Sequence, residues 1–159
     1  MIFRRALPVE AERLSRIAQA AKAHWPYSPE QLAAWRNELT LSARGIADRP
    51  THVVEVAGEV VGFYQLLPAP NDWLLEHFWL LPRAMGLGLG RALLRQALEV
   101  ARAGGAVGLA IDSDPYAEGF YRACGAEPAG SLPAPIPGEP DRVRPQLRLA
   151  ASNPSPASS

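Results

Sequence analysis

The stretch LPRAMGLGLGRALL, residues 81–94, decides how the rest of the chain is read. Gly86, Gly88 and Gly90 alternate at the mouth of a run whose Leu89, Leu93, Ala97, Val100 and Ala101 recur at helical spacing, until Gly104-Gly105 stops it. Just before it, WLLEHFWLLP is apolar on both faces apart from Glu76 and His77, the pattern of a central strand covered on both sides. Just after it, AVGLAID reads as another strand. Strand, glycine turn, helix and strand make a βαβ unit, with parallel strands and a right-handed crossover expected. A helix N-terminus presents unpaired N–H groups and the positive end of its dipole, so a turn without side chains lets a phosphate sit directly on the backbone. The plainer alternative is that these glycines only permit a tight strand-to-helix turn.

On the N-terminal side, IFRRAL suggests a short strand, and Pro8 opens a helix with Leu14, Ile17, Ala18 and Ala21 on one face. Ser28 stands as N-cap of a second helix, with Pro29 first and Gln31 in the capping-box slot, carrying Leu32, Trp35 and Leu39. THVVEVAGEVVGFYQLLP reads as a hairpin around Ala57-Gly58-Glu59, closed by Pro68 and Pro70. On the C-terminal side, Asp114 and Pro115 open a helix holding Ala117, Phe120 and Tyr121 and ended at Gly125. A proline-rich stretch then runs to RPQLRLA, a candidate last strand. One domain over 1–150 and a polar, disordered tail over 151–159 are expected.

Composition narrows the class. At 159 residues and 48% hydrophobic content the chain suits one core rather than two. The 16 basic and 16 acidic residues cancel without basic runs, which argues against a nucleic-acid partner. The single cysteine, Cys124, excludes an internal disulfide and any cysteine-cluster zinc site; it reads as a small buried residue at a helix end. His24 and His52 lack acidic partners at ligand spacing, so no metal is expected. No run approaches the ~18 apolar residues of a membrane span, and the N-terminus lacks a signal pattern. A soluble cytoplasmic protein is the expectation.

Two nucleotide motifs compete for the glycines. A P-loop fails, because Arg91-Ala92 stand where Lys-Ser/Thr should follow. A dinucleotide fingerprint has Asp112 about 20 residues on, but its third glycine is replaced by Arg91, and too little chain follows for a second half.

The sequence also resembles the GNAT superfamily of acyl-CoA-dependent N-acyltransferases, over most of its length and on two motifs. LLPRAMGLGLGRALL is similar to that family's strand, proline and (Gln/Arg)-x-x-Gly-x-Gly turn, which receives the coenzyme A pyrophosphate. Spacing from Pro82 and from the helix aligns the motif glycines with Gly88 and Gly90 and leaves Met85 in the Gln/Arg slot, a departure; Arg83-x-x-Gly86-x-Gly88 fits two residues early. DPYAEGFYRACGA resembles the family's Asn-x-x-Ala-x-x-x-Tyr helix, with Asp114 in the Asn slot, Ala117 in the Ala slot and Tyr121 at the usual general acid. The resemblance implies an α/β fold with a central mixed, mostly antiparallel sheet, one parallel crossover and about four flanking helices. It implies acetyl-CoA as cofactor, held by Met85, Gly86, Leu87, Gly88, Leu89, Gly90 and Arg91 with Asp114 and Ala117. The backbone from Phe78 to Leu80 would supply N–H donors to the developing oxyanion and pair with the pantetheine arm.

Acetyl transfer to an amine sets chemical requirements. An alkylammonium of pKa ~10 must lose a proton before it attacks. Glu76, on the strand before the turn, is the candidate base; otherwise it is a strand-edge or salt-bridge residue. His77 faces the other way by alternation and reads as structural. A leaving thiolate of pKa ~8.5 needs a donor, for which Tyr121 serves unless it is a core tyrosine with a wet tip. In this fold the acceptor is lined by the segment joining the first two helices, here His24, Trp25 and Tyr27, and by late loops such as residues 131–140. These aromatics would cage a primary amine of a small molecule or peptide, or form a seam between helices. A sensor that binds acyl-CoA without turnover stays open, as does pairing of two copies through the last strands.

Overall fold

The computed structural model describes residues 1–151, so the expected tail falls, from residue 152 on, outside the described residues. Strands β1 (Ile2–Arg5), β2 (Thr51–Val56), β3 (Glu59–Leu67), β4 (Asp72–Leu80), β5 (Gly108–Asp112), β6 (Glu127–Pro133) and β7 (Val143–Ala150) form one sheet in the order β1-β2-β3-β4-β5-β7-β6. Helices α1 (Ala11–Lys22), α2 (Pro29–Ala34), α3 (Ala43–Asp48), α4 (Leu89–Ala103) and α5 (Glu118–Ala123) flank it. The sheet is mostly antiparallel with β4 and β5 parallel, as the βαβ reading requires. Two compact units emerge, one of Met1–Leu67 with Glu76–Leu94 and one of Pro68–Leu75 with the chain from Arg95 on.

In the first unit, Leu14, Ile17 and Ala18 of α1 pack with Ile46, Val53 and Phe63 in a core sealed from water. The β2–β3 hairpin turns on Ala57 at φ 53 and Gly58 at φ 81, the left-handed pair that matches strand twist. Ser28 caps α2 by accepting the Gln31 N–H at 3.0 Å, as its position predicts. The second helix is shorter than expected. It ends at Ala34, Trp35 caps its C-terminus, and Leu39 is buried from a following turn. Thr40 donates its hydroxyl to the Arg36 carbonyl at 2.6 Å, a local side-chain bond of the kind that competes with the helical ladder. The chain then enters α3, a fifth helix beyond the four expected. Ser42 caps α3 at 2.9 Å, and Arg5 donates to the carbonyls of Ile46 and Arg49 at its far end.

The second unit holds the first residues of β4, with Asp72, Trp73 and Leu74 in register with Gly108, Leu109 and Ala110. The end of α4 lies close against Trp73: a Cβ at Gly104 would come within 2.4 Å of the indole, which only glycine avoids. Residues 127–133, expected as proline-rich loop, form β6, paired antiparallel with β7 and bulged between Pro128 and Gly130. Every β6 residue is exposed. An edge strand tolerates proline because its outer N–H groups have no ladder to complete.

Candidate functional site

The glycine turn is as bare as its sequence suggests. Gly86 and Gly88 have φ +79 and +80, and a Cβ at either would meet nothing within 4 Å, so conformation rather than crowding demands glycine and open space lies beside the backbone. The first α4 bond runs from Ala92 N–H to the Gly88 carbonyl at 3.2 Å, which places Leu89, Gly90 and Arg91 ahead of it as first-turn donors. That turn contains no acidic residue. Leu87 is exposed, Gly90 is buried, and Met85 closes the preceding 3₁₀ turn, Pro82–Ala84, by donating to the Pro82 carbonyl. Arg83, the basic residue of the alternative register, pairs with Glu59 at 2.5 Å. Alternating left-handed glycines before a helix N-terminus whose first turn holds no acidic residue fit a pyrophosphate.

The rest of β4 in this unit is less covered than its apolar sequence predicts. Leu80 is buried, whereas Glu76, His77, Phe78 and Trp79 are only half-buried. Glu76 and His77 line an open cleft of about 480 Å³ together with Glu38, Asp48, Arg49 and Gln65. Arg49 Nη1 donates to Glu76 Oε1 at 3.5 Å, the contact expected if Glu76 is a salt-bridge residue. His77 accepts the Trp79 indole N–H at Nδ1, 3.0 Å away, and packs near Phe63. Burial, and then the Arg49 charge, pull this imidazole down to about 4, so it is neutral and its proton rests on Nε2.

His24, Trp25 and Tyr27 are not among the cleft's lining residues. Trp25 meets His24 edge-on at 4.8 Å, and Tyr27 meets Trp35 edge-on at 4.7 Å. The ammonium of Lys22 lies 4.5 Å from the Trp35 ring and 5.2 Å from the Tyr27 ring. The cation–π environment anticipated for a substrate thus already receives the chain's own lysine.

In the second unit, Asp114 accepts the Tyr116 N–H at 2.8 Å and caps the 3₁₀ turn Pro115–Ala117 that leads into α5. Its carboxylate also meets Arg142 at 3.8 Å, with both side chains over nine-tenths buried. Arg142 in turn donates to the Ala134 carbonyl at 3.0 Å, fastening the segment before β7. Tyr121 is buried, and burial first, then Cys124 and Asp114, pushes its hydroxyl well above the usual phenol value. Cys124 itself is half-buried rather than buried, because it caps the exposed end of α5. Asp112, the acid of the dinucleotide reading, is occupied by Arg144 at 2.8 Å and Gln146 at 2.9 Å. The sequence reading missed Arg49, Gln65 and Arg142, since none belongs to a motif and only the fold gives each its partner.

Comparison with known proteins agrees with this arrangement. The model of the "Acetyltransferase (GNAT) family" matches residues 12–126. A GCN5-related N-acetyltransferase from Rhodopseudomonas palustris is 23% identical with TM-score 0.76, over 94% of each chain. The PaiA N-acetyltransferase of Thermoplasma acidophilum, solved with coenzyme A, is 17% identical with TM-score 0.74, over 94% of this chain and 98% of that one. Ribosomal-protein-alanine N-acetyltransferase of Brucella melitensis is 20% identical with TM-score 0.67, over 94% and 99%. No curated protein matches the sequence. Among the described residues no helix is long and apolar enough to cross a membrane.

Proposed function

This chain belongs to the GNAT acetyltransferase family, and from that premise we propose that it transfers an acetyl group from acetyl-CoA to a primary amine of a small molecule or peptide by direct attack. The observation that carries the proposal is one carboxylate, Glu76, on an open polar cleft in the same unit as the bare glycine turn. Backbone amides of residues 86–91, with Arg91, would hold the coenzyme A pyrophosphate, and Asp114 and Ala117 act by shaping the turn that carries Tyr121. Bound acetyl-CoA supplies a thioester carbonyl open to attack and a thiol leaving group. Glu76 takes the proton of the acceptor ammonium, directly or through water. N–H groups of the Phe78–Leu80 backbone stabilise the negative charge that develops on the carbonyl oxygen. Tyr121, protonated at neutral pH, would deliver its proton to the departing sulfur. Residues 1–150 serve as a single catalytic domain.

A non-catalytic acyl-CoA sensor is the second reading, favoured by Met85 in place of the family's polar residue. Acetyl-CoA at a hundred times its dissociation constant adds ~2.7 kcal/mol and raises the unfolding midpoint by roughly 5–10 °C. Glu76→Gln and Tyr121→Phe should keep that shift while lowering transfer by ~10²–10⁴-fold. No shift overturns cofactor binding; a shift without transfer to any amine selects the sensor.

A further inference from the structure

The cleft's charges point to what the acceptor carries besides its amine. Arg44 is held by Asp48 one helical turn on, at 3.4 Å. Arg49 is held by Glu76 at 3.5 Å, and the neutral His77 adds no charge. An ammonium that docks on Glu76 therefore arrives beside the Arg49 guanidinium and competes with it for one carboxylate. Like charges a few ångströms apart repel, and Arg49 would lose its counter-ion as the substrate enters. The conflict disappears when the incoming molecule brings its own anion for Arg49.

We infer that the acceptor is a small zwitterion, an amino acid or a molecule of that class, whose ammonium replaces Arg49 at Glu76 while its carboxylate replaces Glu76 at Arg49. This rests on the acetyl-transfer reading above and names the substrate class of that same cleft. Arg49 is built for the task. Its N–H donates to the Gly45 carbonyl at 3.0 Å, and its own carbonyl accepts from Thr51 at 2.9 Å and Arg5 at 3.2 Å, so the residue is anchored at the end of α3. Its side chain is 41% exposed, and its planar fork matches a carboxylate bidentately. Gln65, almost fully buried, gives its Nε2–H to Thr51 at 3.2 Å and adds a polar side chain to the cleft lining. With Glu38 also on the wall, the cleft suits a compact hydrophilic molecule rather than an aromatic amine.

The test uses a panel of free amino acids, their methyl esters, simple alkylamines and a polyamine, assayed for acetylation and, without cofactor, for binding by titration calorimetry. Free amino acids should exceed their esters by 100-fold or more in kcat/KM and in affinity. Arg49→Gln, checked for a native circular dichroism spectrum, should erase that ratio, and Arg49→Lys should restore part of it. Esters, alkylamines or polyamine performing as well as free amino acids would overturn the inference and leave the acetyltransferase reading standing. Arg49-dependent binding of amino acids without acetylation of anything would support the zwitterion site and sink the reaction. Neither binding nor acetylation of any member of the panel would overturn both.

Discussion

Two arginine–carboxylate pairs, one in each unit, join residues about equally far apart in sequence and meet opposite fates. Arg142 and Asp114 are 6% and 8% exposed, whereas Arg49 and Glu76 are 41% and 30% exposed. Burial decides what each can do. A buried pair has lost its water, so neither partner can leave without stranding a charge. A half-exposed pair is screened and weakly held, and a ligand can exchange with either partner. The first pair fixes the turn ahead of Tyr121; the second lines the open cleft.

The largest expected effect breaks the buried pair. Arg142→Ala should lower stability by about 3–5 kcal/mol, a midpoint fall of roughly 6–20 °C in thermal unfolding. Replacing both partners together with Asp114→Asn and Arg142→Leu should lose less than Arg142→Ala alone; a larger loss would show that the charges stabilise by more than each other's company.

A smaller effect tests the cleft's neutral histidine. The ordinary value is 6.5 and the folded value about 4, so between these pH values the unfolded chain binds the proton that the folded chain refuses. Stability contributed by this group is therefore complete above 6.5 and falls as pH drops toward 4, by at most about 3 kcal/mol over the window. Denaturant titrations at pH 7 and pH 4.5 should show that loss in the parent, and His77→Asn should flatten it. An unchanged slope in the variant would assign the acid sensitivity elsewhere.

The smallest effect belongs to the exposed pair. Arg49→Gln should change stability by about 0–1 kcal/mol, in contrast with Arg142→Ala. A loss above ~2 kcal/mol would mean that Arg49 is a structural strut, and would erase the contrast between the two pairs.

What could be read in advance follows from how local the signal is. Ser28 before Pro29, Asp114 before Pro115 and the Ala57-Gly58 turn each act on neighbours within three residues, and each forms as its chemistry predicts. The parallel β4–β5 pair was legible because a glycine turn and a helix of crossover length separate two apolar runs. Helix α3 was not, since six residues with Gly45 inside show no period. Strand β6 was hidden because all its residues are exposed and it carries prolines, so no alternation marks it. Glu76 could be singled out by its place on an apolar strand, but Arg49 could not. Twenty-seven residues separate the partners, and no pattern of charge along the chain announces a contact made across the fold.

Lys22, resting on Trp35 and Tyr27, has a practical consequence for work on an acetyltransferase. It is the only lysine in the 159-residue sequence, so these residues carry a single side-chain amine. Within these 159 residues, intact-mass spectra after incubation with an acetyl donor have room for one added acetyl group on a side-chain amine. Acetylation of Lys22 can thus be read as one mass step and one modified peptide, separate from acetyl groups passed to an added substrate.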